Sequence, residues 1–350
     1  MRQVSWGVVG AGGIASRRTL PGAVEGAPSA RFVAVMDVRP EAARSASEVF
    51  KIPRVYASEE GLLADPGVEA VYIATPVQVH FPQILAAANA GKHVLVEKPL
   101  ARTVAEAEEA IAACHQAAVL LGCGYMMRFH ALHVAARELI ARGELGRVVA
   151  GRAQLTCWYP PLPGAWRQDP RLGGGGALMD MGSHCIDLLE FLVGSKVTSV
   201  MSLNQTLVHG YESEDTSTVI LRLRNGAQMI VDSLFNVPDA ASRGLLEVYG
   251  TRGALYGQGT IGQSPTGRME VVLSDQGEYD PRQERTPSER TFQLKAEPAN
   301  MYAMEVEQFS RAVLEGGRPA VDGGEALWNL RVVEACYQSG REGREVVLGG

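Results

Sequence analysis

The sequence predicts an α/β protein: a doubly wound parallel sheet first, then an α+β domain with a large, mostly antiparallel open sheet. Three observations predict it. Short apolar runs alternate with helical segments over residues 1–124, the rhythm of parallel strands joined by helices. A glycine-rich turn follows the first of those runs. Beyond residue 125 the chain shifts to alternating, β-branched stretches with few helices, the period-2 pattern of a half-buried sheet. The expected domains are 1–124 and 125–350, which suits a chain of 350 residues.

In chain order, residues 4–9 are a buried strand, and 31–36 a second one ending at Asp37. Pro40 suits the first turn of a helix to about Phe50, and a short strand lies near Val55. Residues 68–74 read as a parallel strand closed by Thr75-Pro76; a helix over 78–89 is stopped by Gly91. The strand 93–96 is closed by Glu97-Lys98-Pro99. Thr103 and Glu106 form a capping box ahead of Val104, Ala107, Ile111 and Cys114 on one helix face. Residues 119–122 are the next strand. In the second half a helix over 132–142 precedes strands near 148–156, 197–203, 216–223, 228–235, 245–249 and 269–273. Asn225-Gly226 is a hairpin signal. Residues 259–295 read as polar surface hairpins, and helices near 301–314 and 324–339 finish the chain.

Composition excludes several function classes. Hydrophobic residues make up 46% of the chain, enough for a sizeable core. The 33 basic and 39 acidic residues are mixed, with a net charge of −6. No basic run suggests nucleic acid or an anionic membrane. No apolar run is long enough to span a bilayer, and the N-terminus shows no signal or transit pattern. The cysteines are Cys114, Cys123, Cys157, Cys185 and Cys336, an odd set without C-x-x-C. They read as small buried hydrophobes in a reducing compartment, and the expected location is cytoplasmic.

Gly10, Gly12 and Ala15 fit G-x-G-x-x-A, the dinucleotide fingerprint of a Rossmann domain. Gly10 allows the sharp turn, Gly12 has no Cβ to block a pyrophosphate, and Ala15 lets the helix lie close on its strand. The first N–H groups of that helix, around Gly13 and Ile14, then face the phosphates. Asp37 stands about 20 residues further on, where a carboxylate bridges the adenosine ribose hydroxyls. A lysine at a strand end, Lys98, is a candidate proton donor or relay; it also fits an ordinary surface lysine.

A second constellation begins at Gly173-Gly174-Gly175-Gly176 and runs to Asp187. Asp180 and His184 are four apart, so both project from one helical face. A histidine beside a carboxylate is a candidate acid/base pair. The same residues also fit a helix N-terminal Asp with a satisfied buried His, or, with Asp187, part of a metal site. Between the two constellations, residues 157–170 concentrate aromatics, prolines and Arg167. Tyr159, Trp166 and Arg167 suit stacking on, and hydrogen bonding to, a sugar, and equally a rigid connection. Tyr125 and Arg128 either line the same cleft or join the domains. Arg128, Arg167 and Arg171 are also the arginines available for a substrate phosphate.

Together the segments GVVGAGGIA, AVYIATPVQVH, AGKHVLVEKPLA, GYMMRFH and GGGALMDMGSHCIDLLEFL resemble the glucose–fructose oxidoreductase/inositol dehydrogenase/rhizopine catabolism (Gfo/Idh/MocA) family over nearly the whole chain. The resemblance implies hydride transfer between NAD(P) and a sugar or cyclitol carbon. It makes Lys98 of EKP the catalytic lysine, and Asp180 and His184 of D-x-G-x-H the catalytic pair. It adds Thr75, Pro76, His80 and Glu97 to the cofactor contacts. Asp37 would favour NAD by repelling a 2′-phosphate, with Arg39 softening that preference. Val77 stands where the family often has Asn, so a side-chain contact to the cofactor is not expected there. The resemblance further implies a homodimer or homotetramer through the open sheet. Two rival readings remain. A nucleotide-sensing protein without catalysis would not need the lysine or the His–Asp pair. An NAD-dependent glycosidase would carry a tyrosine- and histidine-containing signature that is not found.

Overall fold

Six parallel strands, β1 Val4–Val9, β2 Ala30–Met36, β3 Arg54–Tyr56, β4 Ala70–Ile73, β5 His93–Glu97 and β6 Leu121–Gly124, form the first sheet in a computed structural model that describes residues 2–274, 281–282 and 290–349. Their order is 3-2-1-4-5-6, the doubly wound dinucleotide-binding order, and every pair is parallel. β1 and β4 are buried at every position, as strands covered on both faces must be. The helix Pro40–Phe50 starts at its proline as expected. Thr103 Oγ1 accepts the Glu106 N–H to cap the helix Val104–Gln116. The last strand lies two residues beyond its expected place. Ala118 takes a left-handed φ of 54° at the helix exit and delays the entry into the sheet.

The second sheet has nine strands: β7 Val148–Thr156, β8 Val197–Gln205, β9 Thr216–Leu223, β10 Gln228–Leu234, β11 Leu245–Gly250, β12 Gly253–Gln258, β13 Arg268–Leu273, β14 Arg290–Gln293 and β15 Val346–Val347. Their order is 14-13-12-11-7-10-9-8-15. All neighbours are antiparallel except β7 and β10, which pair in parallel through a long crossover. Gly226, at φ 87°, makes the expected β9–β10 turn. The helix Ser183–Val193 packs on β7 and β10. The hairpins expected over 259–295 fall partly outside the described residues, at 275–280 and 283–289; within them β13 and β14 pair antiparallel.

Two compact units result. The first takes residues 1–129, 169–174 and 299–331, and the second takes 130–168, 175–298 and 332–350. A single cut near residue 124 therefore leaves out two later segments that the first unit recruits. The reason is in its core. Trp6 packs 6.3 Å from Phe32 and 5.3 Å from Phe309, and its indole N–H donates to Ser310 Oγ at 3.0 Å. Phe309 and Ser310 lie on the helix Met301–Glu315. Truncating a buried aromatic like Phe309 costs about 3–5 kcal/mol, so this late helix is integral to the first unit.

Candidate functional site

In the first unit the chain leaves β1 at Gly10, whose φ of 92° only glycine adopts without strain. A Cβ there would lie 2.9 Å from the Ala74 carbonyl at the end of β4. A Cβ at Gly12 would overlap the Arg39 guanidinium. The Gly12 N–H donates to Asp37 Oδ2 at 2.7 Å, and the Arg39 N–H donates to Asp37 Oδ1 at 2.9 Å. Asp37 thus braces the glycine turn, and Arg39, with a half-exposed side chain, leans over it. Gly12 is exposed, Gly13 and Ile14 are partly so, and Ala15 is fully buried against the strand. This open backbone leading into a helix is the cradle a dinucleotide pyrophosphate requires.

That helix begins as a π-turn, Ala15–Thr19, before continuing as Leu20–Gly26. Such turns recur at functional sites.

The ends of β4 and β5 are tied together. His80 sits with Nε2 2.9 Å from the Thr75 carbonyl and Nδ1 2.9 Å from the Pro99 carbonyl. It is 1% exposed, so its ring joins the two loops from within, a task different from the direct cofactor contact expected of it. Thr75 Oγ1 donates to Gln83 Oε1 at 2.5 Å, and Gln83 Nε2 donates to Glu59 at 2.9 Å. Pro76 is half-buried beside them, and Val77 is buried. Glu97 accepts the Tyr72 hydroxyl at 2.5 Å, and Thr19 Oγ1 lies 2.8 Å from the same phenol. Burial, then the Glu97 charge, pushes the Tyr72 phenol far up. Lys98 follows, half-buried, with a cis peptide to Pro99.

Tyr125 and Arg128, expected near substrate, are absorbed into the first unit's own packing. Tyr125 is 1% exposed and donates to Asn329 Oδ1 at 2.9 Å. Arg128 pairs with Glu325 at 2.9 Å. Both partners come from the late segment 299–331, which no local pattern around residue 125 reveals. Arg171 pairs with its neighbour Asp169 at 2.7 Å.

In the second unit, Leu178–Gly182 is also a π-turn, feeding directly into the helix Ser183–Val193. Asp180 stands in the first segment and His184, 7% exposed, in the second. The main unexpected feature is the partner of Asp180. Arg167 Nε approaches its Oδ1 at 2.9 Å, and burial pushes the Tyr159 phenol up while the charge of the same guanidinium opposes it. Burial works against the Arg167 charge, but Asp180 and Tyr159 outweigh it and push its pKa up. Arg167 also stacks 4.1 Å over the Trp166 ring. Tyr159 itself packs 4.9 Å from Phe235. Asp180, Arg167 and Tyr159 thus form one polar array flanked by aromatic rings. Trp158, at 45% exposure, stands 5.0 Å from His209.

Among the described residues no three His, Cys, Asp or Glu side chains gather to hold a metal ion. The cysteines are free thiols, and burial pushes Cys114 up to about 11 and Cys157 and Cys185 up to about 12, opposite to a reactive thiolate. No helix among the described residues is long and apolar enough to cross a membrane.

Comparison with known proteins identifies the two domains. Residues 4–137 match the oxidoreductase family with an NAD-binding Rossmann fold, and residues 133–256 match the GFO/IDH/MocA C-terminal domain. The chain is 32% identical to 1,5-anhydro-D-fructose reductase of Ensifer adhaerens over 340 residues, covering 97% of each chain. It is also 32% identical to D-xylose 1-dehydrogenase (NADP(+)) 2 of Haloferax volcanii, covering 98% of this chain and 99% of that one. Among solved structures, the aldose–aldose oxidoreductase of Caulobacter crescentus superposes with a TM-score of 0.88 at 29% identity, over 99% of this chain and 100% of that one. With its fingerprint, strand order and both domains matched, the chain belongs to the Gfo/Idh/MocA family of NAD(P)-dependent oxidoreductases.

Proposed function

We propose that this oxidoreductase moves a hydride between NAD(P) and a hydroxyl or keto carbon of a sugar, sugar derivative or cyclitol, with Lys98, Asp180 and His184 handling the proton. The observation that carries the reading is the Tyr159–Arg167–Asp180 array beside the His184 helix. Fixed donors and acceptors next to aromatic rings suit a polyhydroxylated ring. The names of the relatives, reductases and dehydrogenases of anhydrofructose and xylose, support the same substrate class.

The nicotinamide, when bound, supplies or accepts the hydride. The protein's residues do the rest. His184 takes the hydroxyl proton during oxidation and returns it during reduction. Asp180, held by Arg167, orients that exchange. Lys98 hydrogen-bonds the substrate oxygen and stabilises its developing negative charge. Asp37 recognises the ribose diol and favours NAD, while Arg39 tolerates a 2′-phosphate.

A cytoplasmic homo-oligomer completes the reading. Met201, Ile220 and Ile230 are cross-strand neighbours on one face of the second sheet and are 48%, 48% and 39% exposed. An apolar row of that kind suits a self-complementary interface.

The test is turnover of 1,5-anhydro-D-fructose, D-xylose, D-glucose and myo-inositol, read at the nicotinamide absorbance. Lys98→Ala and His184→Ala are each expected to lower turnover about 100-fold or more, with NADH binding retained. Unchanged turnover in both variants rejects the assignment. NADH binding with no turnover by the wild type on a widened sugar panel shifts the reading to a sensor.

A further inference from the structure

The glycine run ahead of Asp180 ends against two half-buried side chains that the proposed chemistry does not use, Glu214 and Tyr337. A helix start leaves four main-chain N–H groups without intrahelical partners. Here three of the four have an acceptor on Glu214. The Gly176 N–H reaches the Glu214 carboxylate at 2.9–3.0 Å. The Ala177 N–H donates to the Glu214 carbonyl at 3.0 Å. The Leu178 N–H donates to Glu214 Oε1 at 2.9 Å. The Tyr337 hydroxyl donates to Glu214 Oε1 at 2.8 Å and so orients that carboxylate. Asp180 then makes the first helical bond, its N–H to the Gly176 carbonyl at 2.9 Å.

The glycines are explained by the same contact. A Cβ at Gly175 would overlap the Tyr337 phenol, and one at Gly176 would overlap the Glu214 carbonyl. Gly175 through Met179 are all buried. A carboxylate with this many donors is a stiff anchor, because releasing one of the buried N–H groups leaves it unmet at about 1–3 kcal/mol.

We propose that Glu214, with Tyr337, is the positioning residue for the proton-handling pair: it fixes the start and rotation of the π-turn, and through it the settings of Asp180 and His184. This rests on the reading of Asp180 and His184 given above. Glu214 touches neither reacting atoms nor cofactor in this assignment; it acts through the main chain of Gly176–Leu178.

The experiment reads His184 directly, without a substrate. Protein labelled with 15N-histidine is titrated by NMR, the His184 signals being assigned from His184→Asn. Glu214→Ala is expected to move the His184 midpoint by about 0.5 pH unit or more and to broaden its ring signals. Glu214→Gln keeps an acceptor for the Leu178 N–H and is expected to restore most of the wild-type titration. Tyr337→Phe, which keeps the carboxylate, is expected to give a smaller shift. If Glu214→Ala does not fold, Glu214→Gln and Tyr337→Phe carry the test. His184 titrating as in wild type in every folded variant overturns the proposal. On a turned-over sugar, Tyr337→Phe should lower kcat several-fold while leaving the Kd for NADH unchanged. A His184→Ala enzyme that keeps full turnover rejects the catalytic reading instead, whatever the NMR result.

Discussion

The two glycine turns of this protein are built alike and used differently. Each carries a distant carboxylate that accepts main-chain N–H groups, and each opens into a π-turn: Asp37 at Gly12 before Ala15–Thr19, and Glu214 at Gly176 and Leu178 before Leu178–Gly182. They differ in what is left over. Asp37 takes the Gly12 N–H, and the backbone from Gly12 to Ile14 stays open to solvent. Glu214 takes the N–H groups of Gly176, Ala177 and Leu178, and the backbone from Gly175 to Met179 is buried. One helix start is open, as the proposed phosphate site requires; the other is closed, which in the proposed reading leaves contact with substrate to the side chains further along.

The strongest way to break this contrast is to put a methyl group into each turn. Gly176→Ala forces a Cβ into the Glu214 backbone, which cannot yield, and should cost about 2–3 kcal/mol, seen as a lower Tm. A thermal midpoint equal to wild type would contradict the closed turn. Next in size is Asp215, neighbour to Glu214. Burial pushes both carboxyls up. For Glu214 burial wins, whereas for Asp215 the N–H groups of Leu207, His209 and Val208 win and hold it below its ordinary value. A depressed carboxyl contributes stability in full above its unfolded pKa, and that contribution fades as pH falls through the folded value. Asp215→Asn should therefore cost about 2 kcal/mol at neutral pH, with the gap to wild type closing below about pH 4. A gap that instead widened on acidification, followed by urea unfolding, would reverse the assignment.

Gly12→Ala should behave unlike Gly176→Ala. Its Cβ meets the mobile end of Arg39, so stability changes by less than about 0.5 kcal/mol, while NADH affinity in a fluorescence titration falls about tenfold. Equal NADH affinity would remove Gly12 from the phosphate cradle. The smallest effect belongs to the exposed Arg311–Glu315 pair, 3.0 Å apart. Glu315→Gln should stay within about 0.5 kcal/mol and calibrates the other three.

Much of this contrast was legible in the sequence, but unevenly. The fingerprint, Asp37 and the alternation of strands and helices are local signals, so the first sheet emerged as doubly wound and parallel. The Asn225-Gly226 turn likewise announced the β9–β10 hairpin. What stayed hidden depends on distant partners. A π-turn has no residue signature of its own. Glu214 lies well downstream of the glycines it seals, and nothing about it marks it as an acceptor for their N–H groups. Tyr125 and Arg128 looked available because Asn329 and Glu325, which hold them, lie some two hundred residues away. The parallel β7–β10 pair escaped for the same reason: strand alternation reports which face is buried and not which neighbour a strand chooses.

The Trp6 contact with Phe309 and Ser310 also sets a schedule for synthesis. A ribosome delivers the six strands of the first sheet long before it delivers the helix that covers Trp6. Until residue 310 emerges, the nascent domain presents the unburied flank of Trp6 and Phe32, the kind of surface to which chaperones bind and through which chains aggregate. The first unit is begun first and finished nearly last, so a ribosome that stops early releases an incompletely covered dinucleotide-binding sheet.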